Sequence, residues 1–110
     1  MVASVDEIHK ILADVRSAID KRNFYPVDRK KNLDTLATLG ITWDDAKTAI
    51  YQLAVDEYYR GPKIDRDYPQ TDKLWEFKKL IDGQVIYIKF KILYKVDGSV
   101  KVVSFHIDEP

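Results

Sequence analysis

Apolar residues recur at helical spacing through the first half of the chain and in strand-like runs through the second. Ile8, Ile11, Leu12, Val15 and Ile19 fall three and four apart, which predicts an amphipathic helix over residues 5–21. Ser4 and Glu7 have capping-box spacing at its start, and His9, Lys10, Asp14, Arg16 and Lys21 form the polar side. Arg22 to Pro26 is short and aromatic and reads as an edge strand. Asp28 is placed to cap a second helix running to Leu39, closed by Gly40 in a left-handed conformation. Thr42-Trp43-Asp44-Asp45 opens a third helix with the stripe Ala46, Ala49, Ile50 and Leu53, its acidic pair suiting the positive end of the helix dipole. Gly61-Pro62 must end any helix, and Tyr58 to Arg60 reads as the start of an extended segment. Residues 61–73 are polar, carry Pro62 and Pro69, and predict a loop long enough to have a function.

From Leu74 to Ile107 three runs rich in β-branched and aromatic residues are separated by Asp82-Gly83 and Asp97-Gly98. Asp-Gly between such runs signals a two-residue hairpin, because the turn needs positive φ and Gly accepts it. Two-residue loops fix the register, so Ile81 is expected opposite Gln84 and Val96 opposite Ser99. Counting outward puts Trp75, Phe90 and Phe105 in one apolar row and Phe77, Ile88 and Ile107 in the next. The other face then carries the row Glu76, Lys89, His106, flanked by Leu74, Lys91, Ser104 and by Lys78, Tyr87, Asp108. With helices first and sheet second, the expected class is α+β, with the N-terminal helices packed on the apolar face of an antiparallel sheet.

At 110 residues the chain is expected to form one domain, residues 1–110. Its 18 basic and 18 acidic residues cancel, so a polyanion could be held only by a local basic patch. The absence of cysteine removes disulfides, thiol catalysis and cysteine-ligated zinc, and two histidines far apart make a histidine metal site unexpected. No apolar run approaches the roughly 20 residues of a membrane span, and no signal-peptide pattern opens the chain, so a cytoplasmic protein is expected.

An ordered set of segments now carries a resemblance: Leu39-Gly40-Ile41, Ala49-Ile50, Tyr58-Tyr59-Arg60, Leu74-Trp75-Glu76, Gly83 through Lys89, and Val103-Ser104-Phe105-His106. Together they resemble the motility quorum-sensing regulator (MqsR) family of type II toxin–antitoxin ribonucleases, which have a RelE-like fold. The resemblance implies an endoribonuclease that cleaves mRNA without metal or cofactor and is silenced by an antitoxin encoded beside it. The family's active-site positions fall on Arg60, Glu76, Tyr87 and His106. Better-known members have Lys, Gln and Lys where this chain has Arg60, Glu76 and His106, a set closer to ribonucleases that use Glu, His and Arg.

Cleavage by internal attack needs a base for the 2′-hydroxyl, an acid for the leaving 5′-oxygen and positive charge at the phosphorane. In the expected register the backbones of Glu76 and His106 lie two strands apart, roughly 9 to 10 Å, on one face. Glu76 is assigned as general base and His106 as general acid, with the reverse open because the pair would be coupled. Arg60 would grip nonbridging oxygens, Tyr87 would bind the phosphate or orient Glu76, and Lys78, Lys89 and Lys91 would supply the local basic field for RNA. Each also has a plainer reading. The Glu–Lys–His row could be cross-strand charge pairing, Arg60 a helix-terminal charge, and Tyr87 a surface aromatic. Tyr58, Tyr59 and Tyr68 could stack on bases or be partly buried. The alternative function is a non-catalytic module that binds protein through the polar sheet face.

Overall fold

The computed structural model describes residues 2–109. The order is α1 (Val5–Asp20), β1 (Phe24–Pro26), α2 (Lys30–Leu39), α3 (Trp43–Tyr51), a single 3₁₀ turn (Val55–Glu57), β2 (Tyr58–Lys63), β3 (Leu74–Ile81), β4 (Gln84–Ile92) and β5 (Val100–Ile107). This is an α+β fold with its helices toward the N-terminus. Ser4 and Glu7 form the expected capping box on α1, and Thr42 with Asp45 forms another on α3. Asp28, in contrast, does not cap α2. Arg29 occupies the cap position, and the Asp28 carboxylate instead accepts a hydrogen bond from the Trp43 indole at 2.8 Å. Among the described residues no helix is long and apolar enough to cross a membrane.

The sheet has the order β1-β5-β4-β3-β2 and is mixed rather than purely antiparallel. β1 runs parallel to β5 with Phe24 opposite Val100, while the other neighbours are antiparallel. One face is the core: Phe77, Ile88, Phe90 and Phe105 are fully buried and meet Ile8, Ile11, Leu12 and Val15 of α1 and Ala46 and Ile50 of α3 in one cluster. Each such aliphatic or aromatic side chain contributes about 1.5–3 kcal/mol on burial. Trp43 closes the cluster edge-on to Phe105, centroids 6.1 Å apart.

α2 does a different job. β1 is so short that it pairs with β5 only through Val102, leaving the edge beyond it unpaired. Asn32, fully buried, covers this edge: its amide donates to the carbonyls of Val27 (2.9 Å) and Val103 (3.1 Å), and its oxygen accepts from the Phe105 N–H (2.9 Å). One turn on, Thr35 Oγ1 accepts from the Ile107 N–H at 3.0 Å. Two polar side chains of a helix thus substitute for a missing strand, satisfying backbone groups that burial would otherwise leave unpaired.

The first hairpin has the expected register, Ile81 opposite Gln84 through to Trp75 opposite Phe90. Asp82 and Gly83 both take positive φ, 49° and 78°, as the turn requires. The second hairpin does not. Here only Gly98 is left-handed (φ 76°), and the N–H groups of Val96, Asp97 and Gly98 all converge on the Leu93 carbonyl. The Leu93 N–H donates to Ser99 O at 2.8 Å, closing a loop over residues 94–98. Near its outer end β5 therefore slides two residues along β4, setting Ile88 against Phe105 and Tyr87 against His106. A shift of two preserves which face each side chain occupies. A bulge between this part and the Phe90–Val102 pair accommodates the remaining residue.

Candidate active site

The face opposite the helices carries the candidate residues, and the register decides which of them meet. The expected row Glu76–Lys89–His106 is replaced by two: Glu76–Lys89–Ser104 and Lys78–Tyr87–His106. His106 is thereby the direct cross-strand neighbour of Tyr87, their rings 5.2 Å apart. Arg60 reaches the same area from β2, where it pairs with Glu76. Gly61 permits this approach: at φ 120° a Cβ there would lie 2.8 Å from the Leu74 carbonyl oxygen. Tyr58, just before, turns into the core against Trp75 and Phe77 and donates its hydroxyl to Gly61 O at 2.6 Å.

Glu76 is the centre of the cluster, and it is fully buried. Its Oε1 accepts from Arg60 Nε at 3.0 Å and from the Tyr87 hydroxyl. Lys63 Nζ lies 3.1 Å from Oε2, an ion pair whose angles are too bent to count as a hydrogen bond. Burial alone would raise the Glu76 carboxyl. The hydrogen bond from Tyr87, the adjacent Lys63 ammonium and the hydrogen bond from Arg60 outweigh it and hold the group below the ordinary carboxylate range. Burial, then the hydrogen bond to Glu76, pushes the Tyr87 hydroxyl well above the ordinary tyrosine range. The hydrogen bond to Glu76 likewise raises Arg60. At neutral pH the cluster is thus a carboxylate, a protonated phenol and two cations whose side chains are 53% and 41% exposed.

Glu76 therefore cannot touch a substrate ribose directly, since Tyr87 and Arg60 stand between its carboxylate and solvent. His106 is half-exposed, and its Nδ1 lies 3.1 Å from the Ile107 carbonyl. With Nδ1–H donated there, Nε2 is the nitrogen left to exchange a proton. Beside these two rings a groove of about 370 Å³ runs between α2 and the end of β5, lined by Lys31, Asp34, Thr38, Tyr87, His106 and Asp108 among others.

The three expected RNA-binding lysines fare differently. Lys78 is on this face, 3.0 Å from Asp108 and over the ring of Tyr59. Lys89 is half-buried between Glu76 and Ser104. Lys91 is not available: its ammonium is buried against Asp65 Oδ2 (2.8 Å) and Thr71 Oγ1 (3.0 Å), because residues 64–73 fold back over that end of the sheet. Lys63 is the cation that the sequence reading missed. Residues 61–73 read as a loop, whereas β2 runs on to Lys63, and the irregular register between Arg60 and Lys63 brings both cations to Glu76 where strict alternation would have parted them. Among the described residues no group of three or more His, Cys, Asp or Glu side chains gathers as a metal site would.

Comparison with known proteins adds one match and two blanks. The family described as "Motility quorum-sensing regulator, toxin of MqsA" matches residues 8–107. No curated protein and no solved structure gives a match. The matched span runs from α1 to the last residue of β5 and so contains Arg60, Glu76, Tyr87 and His106. The chain belongs to the MqsR family and is a toxin of the toxin–antitoxin kind, with an antitoxin as its partner.

Proposed function

We propose that this toxin is a metal-independent endoribonuclease that cleaves mRNA in the cytoplasm by attack of a ribose 2′-hydroxyl on the adjacent phosphate. The observation that carries the reading is the Arg60–Glu76–Tyr87 cluster, with His106 as cross-strand partner of Tyr87 on the same face.

Arg60 and Lys63 are half-exposed, so both can turn from Glu76 to the nonbridging oxygens of a bound phosphate. That removes positive charge from a buried carboxylate, whose affinity for a proton then rises. The 2′-hydroxyl gives its proton to the Tyr87 oxygen while Tyr87 passes its own to Glu76, so Glu76 is the ultimate base without touching the substrate. The O2′–P bond forms and the P–O5′ bond breaks. His106, protonated, donates from Nε2 to the departing 5′-oxygen. The products are a 2′,3′-cyclic phosphate and a 5′-hydroxyl. Arg60 and Lys63 hold the charge of the phosphorane, usually the largest single contribution to such a step.

Purified protein mixed with single-stranded RNA in excess EDTA, followed by analysis of product ends, tests this reading. Cyclic phosphate and 5′-hydroxyl termini are expected, together with growth arrest when the chain is expressed without its antitoxin. Intact RNA, or cleavage only when a divalent ion is restored, would overturn it.

A further inference from the structure

The Asp65–Lys91 pair lies outside this chemistry, and it is an expensive thing to keep. Both side chains are buried, 11% and 3% exposed. Taking two charges out of water is offset only by good geometry and further hydrogen bonds. Both are present: Thr71 also accepts from Lys91, and the second Asp65 oxygen accepts from the backbone N–H groups of Asp67 (3.0 Å) and Tyr68 (3.3 Å). Tyr68 O in turn accepts from the Thr71 N–H and hydroxyl. The result is a rigid turn, and what it presents is the ring of Tyr68, 56% exposed on the polar side of the sheet.

The ring has cations beside it. Lys101 Nζ is 5.9 Å from its centroid and Lys91 Nζ 5.7 Å. Next to it opens a cavity of about 260 Å³ lined by Leu93, Val96, Lys95 and Lys101 among others, where the exposed Lys95 ammonium donates to the Gln70 carbonyl at 2.8 Å. Asp72 also lines it, its carboxylate engaged by the Lys95 N–H at 3.2 Å. Along β5, Lys101 is five residues from His106, about 16 Å at strand rise, with Lys89 opposite Ser104 in between.

We propose that this turn is a second nucleotide subsite, in which an unpaired base of the RNA stacks on Tyr68 while Lys101 and Lys95 hold its phosphates. The strand runs from the Tyr87–His106 pair past Lys89 to Tyr68. An exposed aromatic flanked by lysines is the arrangement that binds single strands without sequence preference. The subsite rests on the RNA-cleaving reading above, and its occupant is the strand flanking the cleaved bond.

Binding by the whole chain is measured by fluorescence anisotropy. The probe is a mixed-sequence single strand of about 12 nucleotides, within the usual site sizes. Its sugars are 2′-deoxy, so it lacks the nucleophile and stays intact. Tyr68→Ala should weaken binding about 5- to 150-fold, the scale of one base–aromatic stack, and Tyr68→Phe should restore it. Lys101→Gln should weaken binding and lower the salt slope by about 0.7, the share of one phosphate contact on a single strand. The same strand annealed into a duplex should bind parent and Tyr68→Ala alike. Equal single-strand affinity in the parent and both weakening variants overturns the subsite. So does a Tyr68→Ala variant that loses only its antitoxin, which would make this a protein contact. If RNA is not cleaved yet Tyr68→Ala still loses the single strand, the catalytic reading fails and the subsite stands. If cleavage occurs and Tyr68→Ala binds like the parent, the reverse holds.

Discussion

Glu76→Gln removes one charge from the centre of the cluster while keeping its shape, and the cost can be worked through contact by contact. A hydrogen bond to a charged acceptor contributes about 1.5–3 kcal/mol and a neutral one about 0.5–1.5 kcal/mol. The bond from Tyr87 therefore weakens by about 1 kcal/mol. Arg60 and Lys63 have side chains 53% and 41% exposed, so their ion pairs belong on the solvated scale of about 0–1 kcal/mol each. Relief of the buried charge works in the opposite direction. The net loss expected at neutral pH is about 1–2 kcal/mol. Its pH dependence has a definite sign. The folded-state carboxyl is held below its ordinary value, so its contribution is complete above the unfolded value of about 4.3 and is lost as pH falls through the folded one. Urea melts of parent and variant, taken stepwise from neutral into acid, should show a gap that closes at the acid end. No gap at neutrality, or a gap unchanged in acid, would refute the ionised, hydrogen-bonded Glu76 described here.

Two further outcomes follow from the buried polar groups. Asp65→Ala strands the Lys91 ammonium and should cost about 3–5 kcal/mol, whereas replacing both partners with apolar residues of similar volume should be near neutral; denaturant midpoints compare the two. Asn32→Ala leaves the Phe105 N–H and the Val27 and Val103 carbonyls without their partner, each costing about 1–3 kcal/mol. Hydrogen exchange at Phe105 should accelerate sharply, and an unchanged rate would mean that α2 does not hold the β5 edge.

How much of this could be read in the sequence depended on how local the determining contacts are. The capping boxes of α1 and α3, the helical stripes and the first hairpin are set by residues within a few positions of one another. The second hairpin has the same Asp-Gly signal, but Asp97 spends its carboxylate on the Ser99 N–H, at 3.0 Å, and only Gly98 turns left-handed. That difference moved His106 from Lys89 to Tyr87. At the outer end of β5 the slide is two, so Glu76, Tyr87 and His106 still share a face; on the turn side of the bulge it is three, which puts Val100 and Val102 in the core and Lys101 opposite Lys91. Asn32 and Thr35 gave no signal, since a polar residue on a helix reads as solvated until the strand edge beneath it is known. Lys91 failed for a similar reason. Its alternation put it correctly on the polar face, but its partner Asp65 lies in a loop 26 residues away.

The central claim is that His106 delivers a proton to the leaving oxygen while the Tyr87–Glu76 pair takes one from the ribose. Single-turnover cleavage of one RNA by the parent and by His106→Ala, followed across pH, tests it most directly. In the parent, the acid limb of kcat/KM should lie below the ordinary carboxylate range, because Glu76 is held there in the free protein. His106→Ala should lower the rate about 10²- to 10⁴-fold, the usual contribution of a general acid, while leaving the acid limb set by Glu76 in place. A folded His106→Ala variant that cleaves at the parent rate with the parent's pH profile would contradict the account.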